Sequence, residues 1–176
     1  MIMNRRAFLT GSAFLFAGTT VGIAWKRYSA PRPDLSALIA ELNDLSLLSV
    51  RSTGTWSPFQ IFSHLAQSIE YSMTGYPEMK SSLFRHTAGS LAFFAFGTAG
   101  TMRHPLTEPI PGAPALTDTG DTTQAHARLI KALTDFTHWT GSLQPHFAYG
   151  TLSKEEYAQA HLMHVRNHLQ EIHTAV

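Results

Sequence analysis

The chain has 176 residues, 44% of them hydrophobic and only 14% charged, enough for one domain with a sizeable core and too apolar for bulk disorder. It contains no cysteine, which removes disulfides, thiolate metal sites and cysteine nucleophiles and leaves ten histidines for soft-metal or acid–base chemistry. The formal charge of +1 belongs to the start of the chain: Arg5, Arg6, Lys26 and Arg27 precede residue 31, and residues 31–176 carry nine Lys and Arg against twelve Asp and Glu, which disfavours nucleic acid as a partner.

Asn4-Arg5-Arg6-Ala7-Phe8-Leu9-Thr10 sets two arginines before Phe-Leu, and an uncharged stretch follows from Ala7 to Trp25. Residues 1–30 resemble a twin-arginine export signal, whose arginine pair is read by a receptor while the apolar stretch enters the bilayer. No Ala-x-Ala stands where cleavage is expected. The segment therefore also reads as an uncleaved membrane anchor, with residues 31–176 as the folded domain on the periplasmic, extracytoplasmic side.

After Pro31 and Pro33 the spacing is helical, with no period-two run. Asp34 caps a first helix bearing Leu35, Leu38, Ile39, Leu42 and Leu45 on one face. Ser57-Pro58 opens a second helix with a stripe of Phe62, Leu65, Ile69, Met73 and Tyr76. Residues 80–100 read as a less regular, Phe-rich third helix loosened by Gly89, Gly97 and Gly100. Pro105, Pro109, Pro111 and Pro114 make the next stretch a loop. Thr122 or Thr123 opens a helix carrying Leu129, Leu133 and Phe136, and Ser153-Lys154-Glu155-Glu156 is a capping box for a last helix running almost to Val176. Long amphipathic helices joined by loops predict an all-α bundle.

That last helix holds His161, His164, His168 and His173. His164 and His168 are one turn apart on one face, a spacing that lets two imidazoles share a metal and that also occurs by chance in a His-rich chain. The metalloprotease pattern is absent, because no Glu follows His164. A third ligand must come from another helix. His64 is the candidate, although it lies on a polar edge of its helix beside Gln60, Gln67, Ser68 and Tyr71, where a site mouth and ordinary solvent look alike. His161 is an alternative ligand or proton carrier. His86, His104, His126, His138, His146 and His173 read as loop or surface residues.

Thr55-Trp56-Ser57-Pro58 leading to His64-Leu65-Ala66, and Gly150-Thr151-Leu152-Ser153-Lys154-Glu155-Glu156-Tyr157 leading to His164-Val165-Arg166-Asn167-His168-Leu169-Gln170, resemble the DinB/YfiT-like superfamily of metalloenzymes. The nearer match is the branch known only as a domain of unknown function, and the stretch Pro105–Pro114 has the look of that branch. The resemblance covers residues 34–173. It implies a four-helix bundle, here with an extra helix and a proline-rich loop. It also implies one divalent metal, zinc or nickel by ligand type, held by three histidines at the positions of His64, His164 and His168. Asn167, Glu171 and Ile172 depart from the branch pattern, which places the surroundings of the ligands in doubt but removes none of them.

Such a site suits a metal-dependent hydrolase or a thiol-dependent transferase acting on a small molecule. The alternatives are a non-catalytic helical module that binds a ligand or partner without metal and, less favoured, bis-histidine haem ligation. Metal binding is expected to fade as pH falls through the ordinary histidine range near 6.5.

Overall fold

The computed structural model describes residues 33–174, and the expected signal or anchor in residues 1–30 lies outside them. Among the described residues no helix is long and apolar enough to cross a membrane.

The fold is mostly helical, with one small sheet. Asp34 accepts a hydrogen bond from the Ala37 amide and starts α1, Leu35–Asn43. This helix buries Leu35, Leu38 and Leu42 but ends before Leu45, where a 3₁₀ turn, Leu47–Ser49, takes over. The next helix, α2, is Pro58–Thr74. Its capping box is complete: the Ser57 hydroxyl accepts from the Gln60 amide and the Gln60 side chain accepts from the Ser57 amide. Gly75, at φ +106°, stops it, and Tyr76 folds back so that its hydroxyl donates to the Ser68 carbonyl. Tyr76 is thus buried, as its place in the apolar stripe suggested, but from beyond the helix end.

Residues 82–99 form α3, a helix broken by a π turn at Arg85–Gly89 between α-helical Ser82–Phe84 and Ser90–Ala99. The break has a packing cause. A Cβ on Gly89 would run into the Ala148 carbonyl oxygen, so the glycine lets the 146–150 loop lie directly on the helix backbone. Residues 101–121 contain no regular element, as their prolines predict. Asp121 then caps α4, Thr122–His138, accepting from the Thr123 and Gln124 amides. The second capping box, Ser153 with Glu156, opens α5, Lys154–Leu169.

Two features differ from the sequence reading. The last helix ends at Leu169, and Ile172–Thr174 (β2) pairs antiparallel with Val50–Ser52 (β1), with Val50 opposite Thr174 and Ser52 opposite Ile172. The all-helical expectation is corrected to that extent. A ladder of three residues is too short to show alternation, and it forms because the end of α5 returns beside the segment entering α2.

The core lies where α2 packs along α4, with α1 across α4 and α5. Leu38, Ile61, Phe62, Leu65, Leu129, Leu133 and Tyr157 are completely buried there. Helix α2 is enclosed on nearly every side, and its polar edge of Gln60, His64, Gln67 and Ser68 is as buried as its apolar stripe. This enclosure makes the site.

Candidate metal centre

His64 sits two turns into α2, downstream of the capping box that fixes where the helix begins. His164 and His168 sit in the last two turns of α5. The packing of the two helices brings these three rings together. Centroids are 5.1 Å apart for His64–His164, 5.0 Å for His64–His168 and 5.0 Å for His164–His168. Nε2 of His64 lies 3.2 Å from Nε2 of His164, and one nitrogen from each ring falls within 4.8 Å of the others. His64 is 3% exposed and His168 wholly buried, so the polar edge of α2 faces protein and not solvent.

Trp56, in the segment entering α2, completes the enclosure. Its indole stacks on His168 at an interplanar angle of 7° and meets His64 edge-on at 5.0 Å. The sequence reading quoted Trp56 within a motif and gave it no role. It also read His104 as a loop or surface residue, and the structure keeps it in a loop but half-buried. The His104 ring lies 5.0 Å from His164 and 5.3 Å from His168, inside the cluster. Nothing in the pattern of the proline-rich loop could show this, because the contact is long-range.

Two other histidines read as loop or surface residues are buried. The His126 Nε2 donates to the Leu42 carbonyl and ties α4 to the end of α1, its ring edge-on to Phe62. His146 stacks on Tyr149 at 4.2 Å and its Nδ1 accepts from the Ala148 and Tyr149 amides. His86, His138 and His173 are exposed, as read. His161, considered as a further ligand, is buried one turn before His164. There its Nε2 lies 3.2 Å from the Ser72 hydroxyl, and its ring packs against Tyr157 and Phe136. The Ser72 hydroxyl donates to Ile69, so it accepts from His161.

A cavity of about 170 Å³ opens beside the cluster. His64, His104, His146, His161 and His164 reach it, and Lys80 and Glu108 bring one charge of each sign to its lining. Burial holds His64, His164 and His168 neutral. The pKa of His64 is pushed down to about 4, by desolvation first and the neighbouring His104 second. That of His168 falls to about 2 through desolvation and then His64 and His104. His164 lies well below the usual range for the same first reason, aided by His64, His168 and His104. The ordinary range near 6.5 therefore does not apply to these rings, whose lone pairs stay free of protons well below it.

Residues 26–175 match the model of a family described as a protein of unknown function (DUF1569). The chain belongs to that family. No curated protein and no solved structure matches the chain.

The residues fit a metal ion on a further observation. His168 Nδ1 and Nε2, His64 Nδ1 and His104 Nε2 are all buried without a hydrogen-bond partner. A buried polar atom left unpaired costs about 1–3 kcal/mol. A metal ion would account for one nitrogen of each ring, the one that carries the lone pair. Asn167, where the family resemblance expects another histidine, is also buried with an unpartnered amide nitrogen. Glu171 turns its carboxyl towards Gly54.

Proposed function

We propose that His64, His164 and His168 hold one divalent metal ion, and that this chain is a DinB-like metal-binding protein whose helices form that superfamily's four-helix bundle. One observation carries the reading: ring nitrogens of His64 and His164, a hundred residues apart, approach to 3.2 Å in the interior, and His168 beside them has both of its nitrogens buried without a partner. Nitrogen ligands of this type suit zinc or nickel. Among the described residues no carboxylate joins the three rings, so an ion there would keep its full charge and supply Lewis acidity, lowering the pKa of a water or thiol brought to it.

The chain's own contribution is placement. Helices α2 and α5 fix the three rings, Trp56 limits their rotation and keeps water from one side, and the adjoining cavity admits a small molecule. Metal-dependent hydrolysis, or transfer to or from a thiol, is the reaction class these features support. Elemental analysis of protein purified without a polyhistidine tag tests the reading. About one zinc or nickel per chain is expected, and almost none in His164→Ala. A metal-free wild type would leave a non-catalytic helical binding module.

We place this activity outside the cytoplasm, on the strength of Arg5-Arg6 and the uncharged stretch to Trp25. The receptor for such signals reads the guanidinium pair, which lysine does not reproduce. Replacing both arginines by lysine should hold the protein in the cytoplasm, as fractionation and immunoblotting would show. Unchanged export of the double variant would reduce the segment to an ordinary signal or anchor.

A further inference from the structure

His104 is the one imidazole of the cluster that comes from a loop, and its sequence setting explains how a loop can hold it still. Pro105 restricts the preceding residue to extended backbone, which lowers the entropy lost when His104 is fixed. Met102 and Ile110, on either side, are 3% and 4% exposed, so both flanks of the segment are anchored in the interior. Further along, the Ser57 hydroxyl donates to the Asp118 carbonyl and the Gln60 amide to the Asp118 carboxylate, tying the loop to the same capping box that positions His64.

The tautomer follows from one hydrogen bond. Nδ1 of His104 lies 2.8 Å from the Pro105 carbonyl oxygen. A carbonyl only accepts, so Nδ1 carries the proton and Nε2 keeps its lone pair. That Nε2 is buried and has no partner. Metal-bound histidines typically donate their other ring N–H to a carbonyl or carboxylate in this way. Ring spacing agrees towards two of the three helix-borne ligands: imidazoles sharing a tetrahedral ion at about 2.1 Å have centroids about 5 Å apart. The His104 centroid is 5.0 Å from His164 and 5.3 Å from His168.

We propose that His104 is a fourth protein ligand to the metal, closing the position that three histidines leave open. The proposal rests on the three-histidine reading and changes its consequence. Four imidazoles would complete a tetrahedral shell, so a small molecule in the cavity would reach the ion only by displacing one of them.

The test uses the full chain, stripped with chelator and reloaded with zinc alone. X-ray absorption at the zinc edge should count four imidazoles in the wild type, and three with an added oxygen or nitrogen donor in His104→Ala. Chelator competition should show His104→Ala losing more affinity than the roughly 10–100-fold that an outer-shell partner costs. His86→Ala should match the wild type. Three imidazoles with an oxygen donor in the wild type would overturn the proposal and leave the three-histidine site standing. Absence of zinc uptake by the wild type would overturn both. The wild-type count needs no variant, so misfolding of His104→Ala would not obscure the result.

Discussion

Replacing His168 by leucine is expected to abolish metal uptake while stabilising the metal-free protein by about 1–2 kcal/mol. His168 is wholly buried, and both of its ring nitrogens lack a partner. Without metal, the folded chain bears the desolvation cost of those nitrogens and receives nothing in return. Leucine has similar bulk, no polar atom, and Trp56 to pack against. With metal the order reverses. An ion present at a thousand times its dissociation constant adds about 4 kcal/mol to the wild type and nothing to a variant that cannot bind it. Urea unfolding of both proteins, with chelator and with zinc, measures all four values. A residue kept for core packing would give the opposite pattern, with His168→Leu less stable in chelator and zinc without effect on either protein.

How much of this was legible in the sequence depends on the range over which each feature is determined. Helix starts were readable because capping is local: Asp34, Ser57 with Gln60, and Ser153 with Glu156 satisfy amides three residues away. The inward face of α4 was readable because only one side of that helix is buried. The same reasoning left His64 undecided between a site mouth and solvent. Periodicity assumes one buried face, and α2 is enclosed by α4, α5 and the proline-rich loop, so its polar edge became the site. Resemblance supplied His64 where spacing left it undecided.

His104, His126 and His146 were beyond local reasoning for a different reason. Each is buried by partners distant in sequence: His164 and His168 for the first, Leu42 for the second, Tyr76 and Tyr157 for the third. A histidine in a proline-rich stretch carries no sign of whether it faces water. The β1–β2 ladder was missed because three residues cannot display a period, and its paired residues, from Val50 with Thr174 to Ser52 with Ile172, are 124 to 120 positions apart.

Stability of the metal-free protein should fall steeply below about pH 6, and two histidines outside the three-histidine cluster should account for a measurable share of the slope. His146 has its pKa pushed down to about 3 by burial, with His161 nearby adding to it, and His161 falls to about 3 by burial alone. Unfolded, both return to about 6.5. Between those values the unfolded chain binds protons that the folded chain refuses, so stability rises with pH across the window and is lost as pH falls through it. Each group contributes about 1.4 kcal/mol per pH unit, and the pair about 2.7. Over three units the pair removes about 8 kcal/mol, a large share of the 5–15 kcal/mol usual for a domain. Denaturation curves in chelator at half-unit steps from pH 7 to 4 would measure it. His161→Phe suits the site, because the ring is held between Tyr157 and Phe136 and the Ser72 hydroxyl keeps its bond to Ile69. His146→Asn retains a side-chain acceptor for the Ala148 and Tyr149 amides. Either change should flatten the slope by about 1.4 kcal/mol per unit, and both together by twice that. An unaltered slope in the double variant would mean that these rings take up protons while the chain stays folded. The interior around the cavity would then be wetter than its packing indicates.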